Sequence, residues 1–186
     1  MSTYMKTENT SRIFAIGGMI LLAAISRVLP HPPNFAPITA MALFGGAYFN
    51  DKRLAFLVPL GAMLISDSII GFHSTQPIIY ACFALITLIG FRLQNNKSIG
   101  KITLATLAGS TLFFIVTNFA VWIMSDFYPH TASGLMMCYA AGIPFYDSSL
   151  LSSPALNTFL GDLTFSAVFF GAFALAEKKI PALVQR

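Results

Sequence analysis

Ten polar or aromatic side chains in an otherwise apolar chain could recognise a small molecule. They are Arg27, His31, Asn34, Asp67, His73, Asn118, Trp122, Asp126, Asn157 and Asp162, with Tyr139 as further stacking surface. Carboxylates, an amide and imidazoles on one side of a bundle suit a ligand rich in hydrogen-bond donors. Asn118, Trp122 and Asp126 recur at i, i+4 and i+8, which places them on one face of a helix. That stripe has two readings: the lining of a ligand site, or a Trp122 and Tyr128 belt at a membrane interface. Four acids, Asp67, Asp126, Asp147 and Asp162, accompany Arg27 as the lone cation of this group, a balance that favours a neutral or cationic ligand. Arg27 is expected to pair with Asp67 or Asp162, leaving the other free for the ligand.

Other chemistry has less support. His31, His73, His130, Asp67 and Asp162 are metal-ligating types, but no close His-x-x-x-His spacing joins them, so no metal or other cofactor is expected. There is no nucleophile elbow, phosphate-binding glycine loop or zinc-protease helix, and the chain is expected not to be an enzyme. Two alternatives remain: an outer-face membrane enzyme or assembly factor using His73 and Asp67 as an acid–base pair, and a divalent-metal permease.

The elements that must hold these residues are membrane helices. Of 186 residues, 56% are hydrophobic and only 10% charged, and the mean hydropathy is +0.73. Soluble domains carry about a quarter charged residues, so this chain is expected to face lipid. An all-α membrane domain is expected, with spans at about 12–29, 36–50, 54–72, 78–93, 102–124 and 158–175. The 133–145 segment is too short to cross and reads as an interfacial or re-entrant helix. Pro30-His31-Pro32-Pro33-Asn34 separates the first two spans, because proline continues neither helix. The apolar run from Ile13 is read as a retained helix and not a cleaved leader.

Charge sets the orientation. With six spans, Lys6, Arg12, Lys52, Arg53, Arg92, Lys97, Lys101, Lys178, Lys179 and Arg186 share one side, ten of the eleven basic residues. The positive-inside rule puts both termini in the cytoplasm of a bacterial inner membrane. A net charge of +4 distributed in this way orients a membrane protein and gives no reason to expect a nucleic-acid partner. The two cysteines, Cys82 and Cys138, are too few for a disulfide framework. Ala42 to Gly46, Ala105 to Gly109 and Ala167 to Gly171 have the small-xxx-small spacing of close helix contacts, within the bundle or with a partner subunit.

Pro32-Pro33-Asn34-Phe35-Ala36-Pro37-Ile38-Thr39-Ala40, then Leu43-Phe44-Gly45-Gly46-Ala47, then the stretch from Pro59 to Asp67, resemble the S components of energy-coupling-factor vitamin transporters, and a related bacterial six-span group. The resemblance implies a six-helix substrate-capture subunit with cytoplasmic termini and an outward pocket. It gives the 30–34 connector a lid role, and a vitamin-like or heterocyclic small molecule as cargo. It also implies a transmembrane coupling subunit with ATPases as partner. S components often dock that subunit through Ala-x-x-x-Ala in the first helix; here Ala15 is followed by Met19, and Ala23 by Arg27.

Overall fold

The computed structural model describes residues 10–143 and 154–184, so Asp147 lies outside the described residues. Among the described residues there are seven α-helices: α1 (Thr10–Ser26), α2 (Ile38–Tyr48), α3 (Lys52–Ile70), α4 (Gln76–Phe91), α5 (Ile99–Met124), α6 (Ala132–Gly142) and α7 (Pro154–Lys179). A 3-10 turn at Pro181–Leu183 follows, and no strand occurs among the described residues. Three helices, α3, α5 and the Leu156–Lys179 part of α7, are long and apolar enough to cross a membrane. At 1.5 Å per residue, 26-residue helices such as α5 and α7 reach about 39 Å, against a hydrocarbon layer of about 30 Å. Phe14, Leu57, Leu104 and Val168 are among many large apolar side chains left exposed, which suits lipid better than water.

Local chemistry sets the boundaries. Beyond Ser26, α1 tightens into i→i−3 bonds at Arg27, Val28 and Leu29 before the prolines. The Asp51 side chain caps α3 by accepting the Arg53 backbone N–H at 2.7 Å. Gly71 ends α3 with φ 107°, a left-handed conformation natural to glycine. The second expected span, 36–50, shrinks to eleven helical residues, because Pro37 starts the helix late and Phe49 already adopts an extended backbone.

That short helix is the centre of the bundle. α2 is apolar all round, and ten of its residues are buried against α1, α3, α4, α5 and α7. Its Phe44 ring lies 5.1 Å from Phe169 and 5.5 Å from Phe173. Close approach is possible because of glycine: a Cβ on Gly46 would stand 3.0 Å from Gly90 Cα on α4, and one on Gly109 would meet Thr39 Cγ2 at 2.6 Å.

At the end where α1 starts and α7 stops, buried Arg12 bonds Glu177 and the Leu183 carbonyl, each at 2.5 Å. Its guanidinium also lies over the rings of Phe173 and Tyr48. Lys97 covers Tyr48 from 4.8 Å, so the basic end is locked together across α1, α2, α7 and the turn after α4.

Candidate functional site

The opposite end holds a cavity of about 370 Å³. It is lined where α1 ends, along the connector, at the starts of α2 and α7, near the end of α3, and on α4 and α5. Arg27, His31, Asn34, His73 and Asp162, all expected from sequence, line it together, and Thr39, Thr117 and Thr158 join them.

Arg27 and Asp67 form an ion pair at 2.7 Å, which decides the choice left open between Asp67 and Asp162. Arg27 also donates to the Ser66 hydroxyl, and Asp67 accepts from the Gln76 amide and from Tyr80 Oη at 2.8 Å. Buried charges need such saturation. Asp67 is therefore consumed by structure. His73, its partner in the alternative enzyme reading, shares a hydrogen bond through Nδ1 with the Thr75 hydroxyl at 2.9 Å.

Asp162 is the other kind of acid. It is 2% exposed and accepts from the Thr39 backbone N–H at 3.2 Å and the Ser110 hydroxyl at 2.7 Å. Among the described residues no cation pairs with it. Beside it, Thr39 Oγ1 is buried with no hydrogen-bond partner. A buried hydroxyl left in this state costs free energy, so the cavity wall offers an acceptor-rich patch that a ligand can satisfy.

The connector over this patch is pinned in place. Asn157 donates to the Pro33 carbonyl at 2.8 Å, and Phe35 packs on Phe165 with ring centroids 5.8 Å apart. A Cβ on Gly161 would stand 3.2 Å from Phe35 Cα, so glycine here lets the connector lie close against α7. Asn34 takes φ 62°, a left-handed turn that asparagine tolerates. His31 Nδ1 lies 2.7 Å from the Leu29 carbonyl.

Trp122 and Asp126 of the 118–122–126 stripe do not line this cavity. α6 lies on that side of α5: Tyr139 Oη donates to the Ile115 carbonyl at 2.9 Å, and Cys138 Sγ approaches the Asn118 carbonyl. The Trp122 indole N–H donates to Pro129 O at 2.9 Å, and its ring meets Phe119 and His130. Trp122, Asp126 and Tyr139 therefore stay outside the cavity; Asp126 is exposed. Only Asn118 reaches it indirectly, through a recess of about 70 Å³ shared with Asn34, Thr117 and Thr158.

Thr39 and Ser110 were missed from sequence, although a signal existed for Ser110. Thr106 and Ser110 stand four apart on α5, as do Asp162 and Ser166 on α7, and the two pairs meet: Thr106 Oγ1 donates to Ser166 Oγ at 3.0 Å. Among the described residues, no three His, Cys, Asp or Glu side chains are grouped to hold a metal ion.

A sequence profile described as a family of unknown function, DUF6580, matches residues 7–183. The chain belongs to the DUF6580 family. Comparison of this DUF6580 chain with curated proteins returns no match, and neither does comparison with solved structures.

Proposed function

We propose that this DUF6580 protein is a substrate-capture subunit of a bacterial inner membrane, taking up a small polar, vitamin-like or heterocyclic molecule. In this reading the chain crosses the bilayer at α1, α3, α4, α5 and α7 and, inside the bundle, through α2 together with the non-helical stretches on either side of it; α6 lies at the outer interface, and both termini are cytoplasmic. α1 and α4, at 17 and 16 residues, gain length from the turns that follow them. The gathering of basic residues at the Arg12 end supports that orientation, and the resemblance to S components supports the role. A transmembrane coupling subunit would then be the partner.

The observation that carries the reading is Asp162 beside Thr39: a buried carboxylate that no cation pairs with among the described residues, next to a buried hydroxyl without a hydrogen-bond partner, in a cavity whose volume lies within the range of small-molecule sites. They call for a ligand with N–H or O–H donors or a positive charge. The outer histidines, His31 and His73, stand at the same cavity as further hydrogen-bonding groups.

A thermal-shift screen of detergent-purified protein against vitamins, nucleobases, amines and divalent metals tests this. A ligand at a hundredfold excess over its Kd adds about 2.7 kcal/mol of apparent stability. The expected result is a shift with one donor-bearing organic compound, lost in Asp162→Asn and Thr39→Val but kept in Trp122→Phe. No shift from any compound, or a shift indifferent to Asp162, would overturn the proposal.

A further inference from the structure

A second cavity, of about 490 Å³, opens between α5 and α7 at the basic end of the bundle. Its walls are Ile99, Ile102, Leu163, Phe170 and Leu175, with Ala167, Gly171 and Ala174 forming a smooth floor. Of the hydroxyls that line it, Thr106 and Ser166 bond each other and Thr103 is exposed. Among the described residues, the charged ones lining it are Lys97 and Lys178, where α5 begins and α7 ends. Glu177, the nearby acid, is bonded by Arg12 at 2.5 Å, and its charge also acts on Lys97.

The Ala167 to Gly171 spacing is the one small-xxx-small pattern here with no helix against its glycine. Gly46 and Gly109 each face another helix at close range, whereas a Cβ on Gly171 would meet nothing within 4 Å. The groove is therefore apolar along its length and cationic at one end. Lys97 is held in position by donating to the Gln94 carbonyl at 2.7 Å, and an ammonium has two further donors to offer. Lys178 is exposed.

We infer that this groove seats one anionic phospholipid, its acyl chain along Ala167, Gly171 and Ala174 and its phosphate between Lys97 and Lys178. Charge complementarity selects this occupant. A phospholipid joins a negative head to a hydrocarbon chain in the same order as the groove joins lysines to apolar wall. An apolar partner helix would fill the wall but leave the two ammonium groups unanswered.

Native mass spectrometry and thermal shift of the detergent-purified full chain test the assignment, with phosphatidylglycerol and phosphatidylcholine of identical acyl chains as probes. Phosphatidylglycerol is expected to bind as a single adduct and raise Tm, with phosphatidylcholine weaker by about thirtyfold, the scale set by two lysines near a lipid headgroup. Lys178→Gln, at an exposed position, should weaken phosphatidylglycerol binding, and the Lys97→Gln, Lys178→Gln pair should bring it to the phosphatidylcholine level. Gly171→Leu has room for its side chain and should abolish the adduct with the lipid-free Tm unchanged. Equal binding of both lipids, an adduct that survives Gly171→Leu, or a second polypeptide in place of lipid would each overturn the inference.

Discussion

Arg27, just past the end of α1, meets Asp67 of α3 at 2.7 Å, and this pairing is what leaves Asp162 without a cation. The two acids are equally buried, at 2% exposure each, yet one completes the scaffold and the other faces the cavity. Breaking a buried ion pair from one side strands the other charge, at a cost of about 3–5 kcal/mol. Arg27→Met is expected to lose stability of that order, measured by chemical unfolding in detergent micelles. Arg27→Met with Asp67→Leu should recover much of the loss, because neither charge is then stranded. A double variant as unstable as the sum of the singles would show that the pair is not coupled.

Thr39 offers the opposite balance. Its hydroxyl is buried without a partner, so Thr39→Val removes an unsatisfied group while keeping the shape. The protein is expected to gain about 1 kcal/mol and to lose ligand affinity. Stability that falls in Thr39→Val would mean that the hydroxyl has a partner after all.

Helix contacts supply a third test. A Cβ on Gly46 would press on backbone of α4, which cannot step aside, whereas Gly18 on α1 has nothing within 4 Å. Gly46→Ala is expected to lower Tm sharply, and Gly18→Ala to leave it level or raise it slightly, because alanine favours helix over glycine. Similar Tm values for the two variants would count against the α2–α4 crossing.

Lys97 gives a pH dependence. Its partial burial in the turn after α4 holds its pKa below the ordinary lysine value, with Glu177 pulling it up and Arg12 pushing it further down. The folded chain thus releases this proton at lower pH than the unfolded chain, and between the two values the unfolded state binds more protons. Stability from this group therefore rises with pH; the burial cost is full below the folded pKa and relieved above it. Unfolding of the native chain and of Lys97→Gln, compared from neutral pH up to about 10, should show the difference moving in the native chain's favour. A flat difference would place Lys97 in water.

Helix positions were legible in the sequence because proline, glycine and Asp51 punctuate it, and each expected span has a helix at its place. What hydropathy could not convey was that α2 is central: an apolar stretch reads alike whether lipid or protein covers it. The same gap explains the stripe of Asn118, Trp122 and Asp126. Periodicity correctly put them on one face of α5, but it says nothing of which neighbour lies on that face, and α6 does. Asp67 and Asp162 were both visible as candidates, and choosing between them needed the rotation of α3 and α7 about their axes. The polar pairs Thr106–Ser110 and Asp162–Ser166 carried the facing of α5 and α7 at helical spacing, and reading them together would have pointed to Ser110; Thr39, on α2, belongs to neither pair.

The brevity of α2 bears on how the chain is assembled during synthesis. Eleven residues make a helix of about 16 Å, roughly half a hydrocarbon layer. Released alone into lipid, it would leave its unpaired terminal N–H and carbonyl groups in a medium that cannot hydrate them. α2 therefore has no stable resting place until α3 and α4 emerge to enclose it. In a bilayer, a translational pause placed between α2 and α4 would therefore leave α2 without the helices that enclose it, with α5 and α7 completing the enclosure later.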